Sequence, residues 1–407
     1  MKGSGENWNS IKKRLPLLCT RTVLFTIYGI LCTYLYYMQT MKFCGFIYES
    51  DLPYHIEMAL DGWGYSLTAI VYRFLNLFPN MNFLVALFLM LCTLGAVLAT
   101  EKGISLLLKK PWISFGIAFC SGFVMPFFIE AVQYSRYTGY QSGSIWHNST
   151  YIVMKFLAVL AFILYCVLAR KYGKKLTVKE WIAFAVLLAL TTATKTSFVA
   201  VFAPAALLML GVDLYLKVPW KKVLLVALTV VPTILIVLLQ EAVLFGDDTG
   251  NGIAIEFAYN LYVAAKRPYF TVPLSVAFPL LVLGVNLYPV LRDTLKDLKK
   301  REQSLTHREF LFSWLMWGCG LLEYVFLRET GTRSNDGNFS WGYDFCVFVV
   351  FTVCMVYFVK NLKSLWEKNK KVPACLYGVF AGGVLLYHFY CGLYFFAHLM
   401  IGTTYFM

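Results

Sequence analysis

Charge is scarce in this 407-residue chain: Asp, Glu, Lys and Arg make up 14% of it, against 59% hydrophobic residues and a mean hydropathy of +0.65. A soluble globular domain carries about a quarter charged residues, so that class is excluded. The eleven cysteines are scattered, with no C-x-x-C and no histidine at zinc-ligand spacing, and they read as small apolar residues rather than as a metal or redox site. There is no Walker A motif and no G-x-G-x-x-G after a strand, which excludes intrinsic nucleotide-driven pumping. No internal repeat or low-complexity segment stands out, so the inverted-repeat signature of many transporters is missing. Also missing is the ten-residue alternation of an outer-membrane barrel.

What the chain has is long apolar runs. A hydrocarbon core of about 30 Å takes about 20 apolar residues as helix, and such runs occur at 19–42, 82–100, 112–130, 151–169, 180–194, 197–212, 223–243, 270–290, 310–327, 344–360 and 374–400. The expectation is an all-α, polytopic integral membrane protein: one transmembrane domain over 1–407 with about eleven spans. Basic residues precede the first run (Lys12, Lys13, Arg14, Arg21), but that run is long and no small-residue cleavage site follows, so it reads as an uncleaved anchor.

Positive charge sets the orientation. With a cytoplasmic N-terminus, 27 of the 36 Lys and Arg fall in segments on the inner side, which predicts N-inside and C-outside in a multi-pass protein of the plasma or cytoplasmic membrane. The same distribution accounts for the net charge of +14. These cations sit in short loops beside lipid headgroups and form no basic stripe on a soluble domain, so nucleic acid is not an expected partner.

The outer side is built differently. Its loops at 43–81, 131–150, 244–269 and 328–343 are the longest, and they are rich in acids, aromatics and glycine. The first contains "FIYESDLPYHIEMALDGWGYSL" (46–67), with Glu49, Asp51, His55, Glu57 and Asp61 close together. Ser50 or Asp51 can cap a short helix that has Pro53 in its first turn. After Gly62 and Gly64, "YSLTAIVYRFLNLF" forms a second apolar segment too short to span, and a pair of interfacial helices follows. Asp51 as a helix cap and the acids as a solvated face is one reading of the cluster, and a reactive carboxylate is the other.

A first span followed by an outer loop with Glu49-Ser50-Asp51 and two surface helices, the second beginning at Tyr65, resembles the GT-C superfold of glycosyltransferases that use polyprenyl-phosphate sugars. The resemblance implies that Asp51 is the general base toward an acceptor hydroxyl and that Glu49 is its partner or a weak ligand for a divalent cation. The aspartate-glutamate pair of some members is not present here. The chemistry suits the position: a sugar on a lipid phosphate presents its anomeric carbon at headgroup depth, and an inverting transfer there needs a carboxylate for the acceptor proton and cations for the departing phosphate.

Two further stretches supply candidates. "QYSRYTGYQSGSIWHNSTYIVMK" (133–155) offers Arg136, Trp146 and His147. His147 suits donor phosphate or proton transfer, and equally a hydrogen-bonded loop residue. "EYVFLRETGTRSNDGNFSWGYDF" (323–345) offers Arg328, Arg333, Asn338 and Trp341. Arginine binds phosphate oxygens with paired hydrogen bonds or ties a loop to its acids, and tryptophan suits a sugar face or an interface anchor. Lys195, in "TTATKTS", either ends a span at the surface or lines a cavity in a broken helix.

Together these features point to a membrane glycosyltransferase moving a sugar from a polyprenyl-phosphate donor to a glycan or lipid acceptor at the external face. The alternatives are a polysaccharide polymerase and a transporter or flippase of a lipid-linked or polar substrate. A transporter is expected to place ionisable residues at the bilayer midplane, and the clear mid-span segments carry almost none.

Overall fold

The computed structural model describes residues 8–41, 47–48, 50–62, 65–125, 145–245, 250–259, 286–301, 305–334 and 337–402. Helix dominates. Among the described residues seven helices are long and apolar enough to cross a membrane: Leu15–Gln39 within α1 (Trp8–Gln39), α4 (Met81–Leu108), α6 (Ser149–Ala169), α8 (Ser197–Tyr215), Trp220–Val243, α13 (Phe339–Glu367) and α14 (Lys371–Met400). The outward surface is apolar, with Val379, Leu207 and Leu239 exposed at 77%, 69% and 68%, the inverse of a protein folded in water. The chain is a helical, multi-pass membrane protein.

Eleven spans are expected from the sequence, and seven helices among the described residues meet both length and apolarity. Three further expected spans coincide with helices that do not: α5 (Pro111–Ser121), α7 (Val178–Thr194) and α12 (Arg308–Phe326). The expected span at 270–290 lies largely outside the described residues. Residues 291–309, expected as a loop, contain most of helix α11 (Leu287–Lys300).

Local chemistry sets the boundaries. α2 (Leu52–Leu60) starts at Ser50, whose Oγ accepts from the Leu52 amide at 3.1 Å, with Pro53 in the first turn. α3 (Leu67–Leu75) is capped by Ser66, which accepts from the Ala69 amide at 3.2 Å. Asn148 caps α6 by accepting from Tyr151 at 3.0 Å, and Thr177 with Glu180 forms a capping box on α7. At Lys195 the backbone turns extended (φ −159°), which breaks the run between α7 and α8. A 3₁₀ turn at Leu228–Val230, just before Pro232, joins α9 (Trp220–Ala227) to α10 (Val231–Phe245).

α13 is the centre of the bundle, packed on α12, α8, α5 and α14, while α1 and α6 flank α4. Where α13 crosses α8, Gly342 removes a side chain: a Cβ there would lie 2.7 Å from the Ser197 carbonyl oxygen. Two short strands, β1 (Gly252–Ile255) and β2 (Leu327–Thr330), pair antiparallel with Gly252 opposite Thr330. That ribbon ties the loop after α10 to the loop before α13.

The two ends of the bundle differ. At one end lie the first turns of α6, α8 and α13 and the last turns of α7 and α10. At the other, ion pairs join the helices: buried Arg308 makes two bonds to Asp213 (2.5 and 2.6 Å), Tyr172 donates to the same carboxylate at 2.6 Å, and the half-exposed Arg170 pairs with Glu309 at 2.6 Å. Between the ends, residues 345–359 of α13 and 156–169 of α6 hold no Asp, Glu, Lys or Arg.

Candidate functional site

The helix ends opposite those ion pairs enclose a cavity of about 330 Å³. Its wall is assembled from five separate stretches: Asp51, Tyr54, His55 and Met58 from α2; Tyr65 to Tyr72 around α3; Asn148 and Thr150 at the start of α6; Thr194 to Ser197 at the α7–α8 break; and Glu329, Arg333, Asn338 and Trp341 between β2 and α13. Gln240 of α10 also reaches it. Arg73 Nε donates to the Ala59 carbonyl at 2.7 Å and holds the two short helices together.

Asp51 does not cap α2. Its residue occupies the cap position, but its side chain makes no cap bond. Oδ1 instead lies 2.9 Å from His147 Nε2, and Oδ2 accepts from Asn148 Nδ2 at 2.8 Å. Backbone contacts fix the pairing: the Asp51 amide donates to the His147 carbonyl at 3.2 Å, and Ser50 Oγ donates to the same oxygen at 2.5 Å. The carboxylate remains 39% exposed toward the cavity, whereas the imidazole is 9% exposed and stacks at 8° on the Trp341 ring. Burial pushes the Asp51 carboxyl up, but the His147 charge and hydrogen bond, the His55 charge and the Asn148 amide together outweigh it and hold the group well below the ordinary carboxylate range. It is an ionised acceptor with a ring behind it and open space in front.

His55 lies one turn along α2 and faces the same space. Its Nδ1 is 2.9 Å from Ser149 Oγ. Burial lowers its pKa to about 4; the Asp51 carboxylate opposes that fall, and Lys195 and His147 add to it. The ring is therefore neutral at physiological pH, able to donate at one nitrogen and accept at the other.

Two cations, Lys195 and Arg333, also line the cavity. The break between α7 and α8 turns Lys195 into the cavity, where Nζ sits 3.4 Å from Thr150 Oγ1, 3.5 Å from Asn338 Oδ1 and 5.5 Å from the Trp341 ring centre. Lys195 both ends α7 and lines the cavity. Arg333 Nε pairs with Glu329 at 3.0 Å, and Asn338 Nδ2 donates to the other oxygen of Glu329 at 2.6 Å. The cavity thus holds the Asp51 carboxylate at one stretch of its lining and, at another, Lys195 with the Arg333–Glu329 pair, which leaves one net positive charge there beside Trp341.

Of the residues singled out from the sequence, Asp51, His55, Lys195, Arg333, Asn338 and Trp341 line this one cavity, and His147 backs it. Two are elsewhere. Trp146 is buried to 1% in the aromatic core, its Nε1 on Tyr28 Oη at 3.3 Å and its ring stacked on Phe395. Arg328 is drawn to the ribbon's other side by Glu256 at 2.7 Å and the Tyr259 ring at 4.3 Å, as expected of alternation along a strand. Glu49 and Arg136 lie outside the described residues.

Glu329 and Gln240 were not foreseen. Glu329 stood next to the more conspicuous Arg328, and only the strand geometry turns it inward. Gln240 is a lone amide in a long apolar run, buried to 5% with Nε2 on the Ala193 carbonyl at 3.2 Å and Oε1 without a hydrogen-bond partner. A polar residue at that depth was the available signal. Beneath Trp341, Lys155 and Asp344 are also buried, with the Lys155 ammonium 4.1 Å from the Phe348 ring centre. Among the described residues no group of three or more His, Cys, Asp or Glu is placed to hold a metal ion. Comparison of the chain with protein-family models, with curated proteins and with solved structures finds no match.

Proposed function

We propose that the chain is an integral membrane glycosyltransferase of GT-C-like architecture, with eleven spans, a cytoplasmic N-terminus and an external C-terminus. It moves a sugar from a polyprenyl-phosphate donor to a glycan or lipid acceptor at the external face, within cell-envelope polysaccharide synthesis. The observation that carries this reading is that one cavity holds the Asp51 carboxylate together with Lys195 and Arg333, whose two charges Glu329 only half offsets, and the Trp341 ring.

In this reading Asp51 accepts a hydrogen bond from the acceptor hydroxyl and orients its oxygen toward the anomeric carbon. A carboxylate held below its usual pKa range is a weak base, and a weak base suffices, because the hydroxyl proton becomes strongly acidic as the new C–O bond forms. Asp51 then takes that proton while the anomeric carbon–phosphate oxygen bond breaks with inversion, and the leaving phosphate keeps the electron pair. Lys195 and Arg333 stabilise its negative charge. His147 fixes the carboxylate from behind, and His55 offers a neutral donor or acceptor to a sugar hydroxyl.

The test is a mass-spectrometric comparison of lipid-linked sugars and surface glycans in host cells lacking the protein, complemented with wild type or with Asp51→Asn at matched expression. Wild type should restore a glycan and consume a lipid-linked precursor, and the variant should do neither. Full restoration by the variant overturns the assignment.

Transport of a polar or lipid-linked substrate draws on a different observation, the buried Lys155 and Asp344 beneath the cavity floor. Under that reading Lys155→Met blocks substrate movement, while a broken-cell assay with both substrates supplied shows no sugar transfer even with wild type.

A further inference from the structure

A second cavity, of about 120 Å³, lies toward the opposite end of the bundle, between α4, α6 and α13. The six-turn helix α6 separates the two sites: Asn148 and Thr150 at its start line the first, whereas Val159 to Arg170 line the second. The nine residues of helix from Thr150 to Val159 rise about 14 Å, and the two linings share no residue.

Its lining is hydrocarbon along nearly its whole length. Ile104, Leu107, Phe162, Ile163, Val349 and Val353 are typical of it. The edge is formed by Leu106 and Val167, exposed at 52% and 37%, so the groove opens sideways where the surface is apolar. Gly103 sets the back wall: a Cβ there would come within 2.8 Å of Ile163, so α4 and α6 meet there only because it is glycine. Shape and chemistry fit an extended acyl chain entering from the bilayer.

The end of the groove decides what that chain carries. Arg170 lies there with its side chain 48% exposed, and its contact with Glu309 runs through Nη2. Glu309 is only 5% exposed and already accepts from Arg170 and from Tyr357 Oη at 3.4 Å. Lys360 stands beside them, its Nζ 5.0 Å from the Tyr357 ring centre and close enough to Glu309 and Arg170 to feel both charges. Two cations against one occupied carboxylate leave net positive charge at the end of the groove, and the Arg170 side chain is half exposed there.

We infer that this groove is a binding site for one anionic phospholipid of the surrounding leaflet, its acyl chain between α4, α6 and α13 and its phosphate on Arg170 and Lys360. The site is independent of the proposed transferase chemistry. It holds a membrane lipid at the seam where α13 meets α4 and α6.

The experiment uses the full chain, purified in detergent, exposed to phosphatidylglycerol and phosphatidylcholine of the same acyl composition in equal amounts, and read by native mass spectrometry. Wild type should retain one phosphatidylglycerol with roughly five-fold preference, the size expected of one net cation at a headgroup. Arg170→Gln with Lys360→Gln should abolish the preference. Val167→Trp, which fills the groove from its exposed edge without touching the charges, should remove the bound lipid altogether. Equal retention of the two lipids by wild type overturns the inference. So does an adduct that survives Val167→Trp unchanged.

Discussion

His147 and Asp51 hold each other twice: imidazole Nε2 lies 2.9 Å from Asp51 Oδ1, and the Asp51 amide donates to the His147 carbonyl at 3.2 Å. Side chain and backbone of one loop therefore lock those of another. The carboxylate is consequently positioned before any ligand arrives, and its ionisation depends on the ring behind it.

From that dependence follows a prediction on His147→Gln. Without the imidazole, burial is opposed only by His55 and Asn148, so the Asp51 pKa rises. The acid limb of the pH–rate profile should move to higher pH than in wild type, where it lies below the ordinary carboxylate range. Turnover at neutral pH should fall roughly 10- to 100-fold as the carboxylate loses its fixed orientation. Profiles of sugar transfer in membranes carrying each protein check this, and coincident acid limbs would show that His147 does not set Asp51.

His55 predicts a pH dependence of stability. Its folded pKa of about 4 is below the ordinary 6.5, so the unfolded chain binds a proton that the folded chain refuses. The resulting stabilisation is complete above pH 6.5 and is lost as pH falls from there toward 4. Thermal denaturation in detergent should show a steeper decline of Tm across that window for wild type than for His55→Gln, which keeps a donor for Ser149. Parallel declines would mean that the ring is not held neutral.

The two cations are separable from the carboxylate. Lys195→Gln and Arg333→Gln each remove a charge while keeping a polar group, and each should weaken capture of a lipid-phosphate donor by roughly ten-fold. The effect should appear in KM for the donor with the acceptor KM unchanged. Arg328→Gln, on the far side of the ribbon, should leave both constants near wild type. A larger effect of Arg328 than of Arg333 would contradict the inward assignment.

Much of the site was legible from residue chemistry alone, because a membrane chain spends charge sparingly and each polar residue at a span end carries information. Asp51, His55, His147, Lys195, Arg333, Asn338 and Trp341 were visible for that reason. Their meeting point was not: it depends on α2 packing against the start of α6 and on the α7–α8 break, both tertiary facts. Strand alternation exchanged Arg328 for Glu329, since periodicity in a four-residue strand is too short to read. The cap reading of Asp51 was reasonable on local rules, but Ser50 already supplies the acceptor, which leaves the carboxylate to long-range partners. Seven of the expected spans meet both length and apolarity among the described residues; α5 and α7 are shorter than a full crossing, and α12 carries Arg308, Glu309 and Glu323.

Gly342 tests how the cavity floor is held. Its missing side chain lets α13 approach the Ser197 carbonyl, and a Cβ would also fall 2.9 Å from Val201 Cγ1. Gly342→Ala should push α8 and α13 apart at about 1–3 kcal/mol and shift Lys195, lowering both Tm and donor affinity. Gly318→Ala, with nothing within 4 Å of the added methyl, should leave both unaltered. If the two variants behaved alike, close contact between α8 and α13 would not be what shapes the cavity.

At the other end of the bundle, Arg308 and Asp213 are 3% and 1% exposed and joined by two bonds, with Tyr172 donating to the same carboxylate. Two charges that far from water attract strongly, but both have been desolvated, so the pair as a whole contributes little while either member alone is costly. Asp213→Asn should therefore destabilise the protein by about 3–5 kcal/mol, visible as a lower Tm and poorer recovery from detergent extraction. Combining Asp213→Leu with Arg308→Met removes both charges and should recover most of the loss, since no buried cation is left without a partner. A single variant as stable as wild type would mean that water reaches Arg308, and that α6, α8 and α12 are held at this end by apolar packing rather than by the ion pair.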